Sequence, residues 1–412
     1  MSVEQFLLKR VDEQRCIDFL AQMIRYKSYS ETDSERELAV FMQGAMREIG
    51  LESSLQPVAG QRVNAIGRLP GRADGASLLF NGHLDTNPVT GGWTVDPWGG
   101  AVIGDCIYGI GVSNMKAGDA AYFCAVRTLV EAGLEPAGDV ILTYVVGELQ
   151  GGIGTVRAIE QGVRADYLVN AEPTDLGALT LHAGAFNFEI ELEGITRHVS
   201  KREEAVDAVA AAAALVPRIN SITFSGAAND LHRSVNRANV GTVRGALSRD
   251  FHDWRPPQVA DFARLTGTAR YAPSQSVESV LADLRALLDA LEAEFPGLHA
   301  TVKAPHVETG RPAMKPFEVA HDSRIVTATT GAYRRLRGED QAIGAIRPPC
   351  FYGTDAAHFL HMASMEGIVC GPGGRFNTMP DERVELRDYL DAVRLYLMII
   401  ADICDPLAPR SR

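Results

Sequence analysis

Three short apolar runs, each ending in a polar residue, constrain this chain more than anything else in it. Leu79-Phe80 leads into Asn81-Gly82-His83-Leu84-Asp85-Thr86, Val140 to Val146 into Gly147-Glu148, and Tyr167 to Asn170 into Ala171-Glu172-Pro173. Apolar residues at helical spacing follow between them, from about Ala117 to Glu131 and again from near Ile153. Strand, loop, helix, strand in this order is the α/β pattern, in which polar groups collect at strand ends. Side chains alternate along an extended chain, so His83 and Asp85 point the same way. The imidazole can then hold a metal while the carboxylate orients it from behind.

The flanking sequence fills in a larger domain. Apolar spacing predicts helices from about Val11 to Tyr26 and from about Ser34 to Ile49. Ser34 and Glu37 form a capping-box pattern for the second helix, and Gly50 stands at its stop. Asn64 to Leu69 reads as a further strand. After about Leu181 the pattern changes: Phe186 to Glu193 alternates apolar and acidic residues, as in a sheet with one wet face. An Ala-rich helix (Glu203 to Val216), two strands (Ala238 to Leu247, Ala260 to Tyr271) and a long helix (Ser276 to Glu294) follow. That order predicts a small α+β, ferredoxin-like insertion at 183–308. The larger, mixed-sheet α/β domain flanked by helices takes 1–182 and 309–412. It resumes with a helix near Asp322 to Leu336, a Gly-rich loop at Gly371-Pro372-Gly373-Gly374 and a closing helix from Leu386 to Ile403. The ends, Met1 to Lys9 and Pro406 to Arg412, read as solvated.

Charge and cysteine usage exclude several classes. A formal charge of -12 argues against nucleic acid or an anionic membrane as partner. Six cysteines lie far apart with no CxxC pair, which fits reduced thiols better than a disulfide framework or zinc finger. The start lacks an apolar signal region, and the longest apolar runs, such as Ala208 to Val216, are too short to span a bilayer. These features predict a soluble, cytoplasmic protein.

Seven segments then fall into one order: Gly82-His83-Leu84-Asp85-Thr86, Tyr108-Gly109-Ile110-Gly111-Val112-Ser113-Asn114-Met115-Lys116, Gly147-Glu148-Leu149-Gln150-Gly151-Gly152, Asn170-Ala171-Glu172-Pro173, Gly194-Ile195-Thr196-Arg197-His198, Gly353-Thr354-Asp355-Ala356, and Gly371-Pro372-Gly373 with Pro380-Asp381-Glu382. Together they resemble the co-catalytic zinc aminoacylase/carboxypeptidase family, which includes acetylornithine deacetylase, succinyl-diaminopimelate desuccinylase and glutamate carboxypeptidase. The resemblance implies a catalytic domain with two metal ions and a lid domain that mediates dimerisation. It makes His83 and Glu172 ligands of one ion, Asp85 the partner of His83, and Glu148 the general base. It makes His198 a lid histidine that steadies the oxyanion in a neighbouring subunit's site. Arg270, Asn377 and Gly373 become candidates for contact with substrate.

Three positions depart from that family. Its bridging aspartate is Asn114 here, the glutamate after the base is Leu149, and its C-terminal histidine is Asn377 or Thr378. A leucine cannot ligate, and an amide lacks the charge that holds two cations close together. The resemblance with these losses predicts one weakly bound divalent transition metal, zinc or manganese, held by His83, Glu172 and the Asn114 amide oxygen. His358 and His361 are possible recruits, but read more simply as polar residues beside a core helix. The leading expectation is a homo-oligomeric hydrolase of a C–N bond in a small carboxylate-bearing substrate. The alternatives are hydrolytic removal of an aromatic amine, as in the family's 5-nitroanthranilate aminohydrolase, and a non-catalytic binding protein.

Overall fold

The computed structural model describes residues 2–72, 74–252, 257–305, 313–405 and 407–409. The expected domain boundary at 308/309 and most of the expected C-terminal tail lie outside them. The chain forms two compact units, Met1–Leu181 with Phe317–Cys350 and Thr354–Arg412, and His182–Pro316 with Phe351–Gly353.

The first unit is built on an eight-stranded mixed sheet. Its order is Glu52–Ala59, Arg62–Leu69, Val140–Val145, Leu78–His83, Tyr167–Pro173, Glu366–Gly371, Ala178–Leu179 and Ile343–Gly344. The four central strands run parallel, and Arg62–Leu69 joins them antiparallel. Leu78–His83 is buried at every residue, which is why its sequence reads as a continuous apolar run rather than an alternating one. The helix Ala117–Glu131 is buried from Ala117 through Leu129 and packs against the closing helix Leu386–Ile403. Fully burying each large aliphatic or aromatic side chain here contributes roughly 1.5–3 kcal/mol, so this layer is the stable floor under the strand ends.

Two local expectations in this unit are corrected. Residues Val3–Leu8 are not a solvated tail but a helix. Ser2 and Gln5 close its capping box, and Leu7 is buried beneath it. Conversely, Ser34 makes no side-chain cap for the helix Glu35–Glu48. Its hydroxyl donates to the Lys27 carbonyl instead, because the preceding turn brings that acceptor closer.

The second unit is a four-stranded antiparallel sheet in the order Arg237–Ala246, Phe262–Tyr271, Gly184–Glu193, His299–Lys303. Helices Ala208–Asn220 and Val277–Glu294 cover one face, burying Phe186, Phe188, Ile190 and Leu192 against Leu215, Leu284 and Leu288. The first of these helices starts at Ala208 rather than Glu203. Asp207 caps it by accepting the N–H groups of Val209 and Ala210, and 199–204 form a separate 3-10 turn. Among the described residues no helix is long and apolar enough to cross a membrane.

Candidate active site

The parallel strands deliver three side chains to one place. Leu78–His83 ends on the imidazole, Val140–Val145 leads into the turn that carries Glu148, and Tyr167–Pro173 carries Glu172 near its end. One potential ligand atom from each of His83, Glu148 and Glu172 lies within 4.8 Å of the others, and all three residues are buried. Among the described residues this is the one cluster of its kind built from His, Cys, Asp or Glu.

His83 sets the chemistry of the cluster. Its Nδ1 lies 2.9 Å from the Asp85 backbone carbonyl and 3.6 Å from Asp85 Oδ1. Both are acceptors, so Nδ1 carries the proton and Nε2 is left with its lone pair. That lone pair faces two further oxygens, Asn114 Oδ1 at 3.0 Å and Glu172 Oε1 at 3.4 Å. A carboxylate oxygen can only accept. The arrangement therefore calls for a cation, either a second proton on the ring or a metal ion. Nitrogen and oxygen ligands of a tetrahedral zinc sit about 3.3 Å apart at usual bond lengths of about 2.0–2.1 Å, so the donor set fits such an ion.

The electrostatics of the cluster carry the same excess of negative charge. Burial acts against a charged His83, yet Glu172, Asp85 and Glu148 outweigh it and hold the imidazole well above its ordinary pKa. Burial raises Glu148 well above the usual carboxylate range; His83 opposes this and the Glu172, Asp355 and Asp85 carboxylates add to it. Asp355 is pushed up to about 7, chiefly by burial, although Thr155 donates to its Oδ2 at 2.7 Å. Perturbed groups gathered in one cleft are the usual mark of a working site.

Behind the cluster lies a hydrogen-bonded chain that the sequence did not announce. The Asp85 carboxylate accepts from the backbone N–H groups of Glu148 (3.1 Å) and Leu149 (3.2 Å) and from Ser30 Oγ (2.8 Å). Gln150, on the same turn as Glu148, donates to Ser30 Oγ at 3.0 Å and accepts from Arg62 Nη1 at 2.8 Å. Arg62 is in turn paired with the fully buried Glu35. Asn114 is held from another side. Glu382 accepts the N–H groups of Gly111, Ser113 and Asn114 at 3.2, 2.8 and 3.0 Å, which fixes the loop carrying it, and the Asn114–Met115 peptide is cis.

The other expected residues are placed as follows. Gly373 has a φ of +81°, and a Cβ there would come within 2.6 Å of Ser113 Oγ, so its smallness is needed for the loop itself. Asn377 Oδ1 is buried with no hydrogen-bond partner among the described residues. His198 and Arg270 belong to the second unit. His198 is exposed and its Nδ1 accepts from the Ser200 N–H, while Arg270 lies on the strand Phe262–Tyr271 opposite Ala185 and Arg237. His358 and His361 do not join the cluster. His358 Nε2 lies 2.9 Å from the Gly151 carbonyl, and His361 is exposed. Gly152 allows that packing: a Cβ would approach Asp355 Oδ1 to 2.4 Å and His358 Nε2 to 2.6 Å. Leu149, next to the candidate base, is 41% exposed, so its side chain turns away from the buried cluster.

Next to Asn114 opens a cavity of about 270 Å³, lined by Thr86, Trp93, Ile110, Asn114, Met379 and Glu382 among others.

Known proteins resemble this chain. The N-formyl-4-amino-5-aminomethyl-2-methylpyrimidine deformylase of Bacillus subtilis is 24% identical over 97% of this chain and 97% of its own. Carboxypeptidase G2 of a Pseudomonas species is 26% identical over 77% of this chain and 72% of its own. A dinuclear metal-binding peptidase from Bacillus subtilis has the same fold, with a TM-score of 0.69 at 18% identity, covering 95% of this chain and 98% of that one. Residues 79–402 match the profile of peptidase family M20/M25/M40. The chain belongs to that family and is a metal-dependent hydrolase acting on C–N bonds.

Proposed function

We propose that this protein hydrolyses the amide C–N bond of a small carboxylate-bearing substrate, using one divalent ion, zinc or manganese, and Glu148 as general base. The observation that carries the proposal is the His83 Nε2 lone pair facing Glu172 Oε1 and Asn114 Oδ1, with Glu148 beside them. His83, Glu172 and Asn114 would hold the ion. When bound, it supplies Lewis acidity at the scissile carbonyl and acidifies water. Leu149 and Asn377, in place of a glutamate and a histidine, leave no second set of charged ligands, which supports one ion rather than two and a loosely held one.

Glu148 takes the proton of the attacking water on a carboxylate oxygen and passes it to the departing nitrogen. A base that must also serve as acid works best with a pKa near the working pH, and burial moves Glu148 in that direction. Asp85 orients His83 and, through the Glu148 N–H, the base itself. Residues 183–308 act as a lid and dimerisation domain. His198 steadies the oxyanion in the partner copy of a homo-oligomer, and Arg270, Asn377 and Gly373 contact the substrate. The amide reading has support in the names of the relatives, a deformylase and a carboxypeptidase. The aromatic-amine and non-catalytic readings have no observation in their favour that the amide reading lacks.

The test is a panel of N-acyl amino acids and N-formyl amines offered to protein stripped with chelator and then reloaded with zinc or manganese. Wild type should turn over at least one compound only when reloaded. His83→Ala should lose the metal, and Glu148→Gln should keep it while losing activity by about a thousandfold or more. Turnover that survives chelation, or a fully active Glu148→Gln, would end the proposal.

A further inference from the structure

Outside the candidate cluster, one buried cation has no carboxylate to answer it. Arg127, on the helix Ala117–Glu131, is 5% exposed and forms no ion pair with an Asp or Glu among the described residues. Its Nη2 donates instead to two sulfurs, Cys124 Sγ at 3.5 Å and Cys16 Sγ at 3.7 Å. Both thiols are 0% exposed, on the adjoining helices Glu13–Ile24 and Ala117–Glu131, and they hydrogen-bond each other. The Tyr389 hydroxyl lies 3.7 Å from Cys124 Sγ and donates its proton to the Cys16 carbonyl at 2.7 Å. A buried guanidinium needs a counter-charge, and a thiol can supply one by releasing its proton. The geometry favours Cys124, the nearer sulfur. Burial acts against its ionisation, but the bond from Cys16 and the Arg127 charge outweigh it and hold the thiol below its ordinary pKa. Cys16 moves the opposite way, raised by its bond to Cys124 and then by burial. Arg127 is also a wall of a surface groove of about 530 Å³, with Arg15, Phe19, Phe41 and Phe123.

We propose that Cys16 and Cys124 are an oxidative modification site, in which Arg127 holds Cys124 as a thiolate and hydrogen peroxide converts the pair to a disulfide. Peroxide is small enough to pass from the groove beside the Arg127 side chain. The Cys124 thiolate attacks one peroxide oxygen, the O–O bond breaks, and Cys124 becomes a sulfenic acid. The departing hydroxide takes the Cys16 proton and leaves as water. The Cys16 thiolate then attacks Cys124 Sγ, the S–O bond breaks, and hydroxide leaves. The two sulfurs lose two electrons in all, and the peroxide oxygens gain them. The product joins the helix Glu13–Ile24 to Ala117–Glu131 and removes the anion that faced Arg127. No step involves His83, Glu148 or Glu172, so the hydrolase reading and this one stand or fall separately.

The test treats the reduced full chain with hydrogen peroxide under conditions where it stays folded, then alkylates the remaining thiols and maps the peptides by mass spectrometry. The main product should be one disulfide joining the Cys16 and Cys124 peptides. Its rate of formation should differ by less than about twofold between pH 7 and pH 8.5, whereas an ordinary thiol with a pKa of about 8.5 speeds up more than about tenfold. Besides Arg127 and the two thiols, the titratable groups that act on the pair are Tyr389 and Arg15. Arg127→Met removes the cation and should slow the disulfide at least tenfold. Cys16→Ser removes the resolving thiol and should leave Cys124 as a sulfenic acid that dimedone traps. That readout and the wild-type pH profile decide the matter even where Arg127→Met does not fold. Thiols at 16 and 124 that stay reduced, a disulfide between other cysteines, the steep pH profile of an ordinary thiol, or no dimedone adduct on Cys124 would overturn the proposal.

Discussion

The backbone N–H of Glu148 donates to Asp85 Oδ1 at 3.1 Å. The residue proposed to move the proton thus hangs from the residue that steers the imidazole. Asp85 sits 0% exposed, with Ser30 and the Leu149 N–H as further donors.

Replacing Asp85 should therefore act on metal and base together. Asp85→Ala leaves three donors without an acceptor and removes the carboxylate 3.6 Å from His83 Nδ1, keeping only the backbone carbonyl as that nitrogen's acceptor. Partners that orient a ligating histidine are worth about 10–100-fold in metal affinity, and a loss of that size is expected in zinc competition against a chromophoric chelator. An affinity unchanged within twofold would contradict the orienting role.

Gln150 offers a milder probe of the same arrangement. Gln150→Ala cuts the bridge between Ser30 and Arg62 but leaves the Arg62–Glu35 pair intact. Zinc affinity should drop by up to about tenfold, while the metal-free protein melts within a few degrees of wild type. A large fall in melting temperature with unaltered zinc affinity would make Gln150 merely structural.

Glu382→Ala should be costly to the fold. It strands the N–H groups of Gly111, Ser113 and Asn114, and an unsatisfied buried donor costs about 1–3 kcal/mol. Unfolding in urea should report a loss of about 3 kcal/mol or more, with activity falling as the Asn114 loop loosens.

Asp119 gives a pH dependence with a definite sign. Burial pushes its carboxyl up to about 8, against the opposing influences of His83 and the Tyr122 hydroxyl bond. Its Oδ2 is buried with no hydrogen-bond partner among the described residues. The folded pKa lies above the unfolded value of about 3.9, so between these values the folded chain holds a proton that the unfolded chain has released. Its contribution to stability is complete below the unfolded pKa, falls as pH rises, and is gone once pH passes about 8. Asp119→Asn cannot ionise. In denaturant titrations at pH 5 and pH 9, wild type should lose more stability between the two than the variant does.

What the sequence made legible follows from physics local to the chain. Strands buried on both faces read as apolar runs, so Leu78–His83 and Val140–Val145 were visible, and so were the polar residues at their ends. The alternation in Gly184–Glu193 likewise exposed the second sheet, whose outer positions stay wet. Long-range contacts left no such trace. Arg62 meets Glu35 and Gln150 across 27 and 88 positions, and nothing in their spacing announces it. Ser34 failed as a cap for a related reason: a capping pattern names a donor but not the competing carbonyl that folding brings nearby. Asn114 was found through resemblance rather than periodicity. Its role as an oxygen aimed at His83 depends on a turn that Glu382 organises from 268 positions away.

The parallel strands end on loops that carry the candidate site residues, while the buried helix Ala117–Glu131 and the sheet carry the stability. That separation makes the site evolvable. Residues at the rim, such as the exposed Leu149, can change without disturbing the scaffold beneath. Ligand and substrate preference can therefore shift through substitutions that leave the fold unaltered.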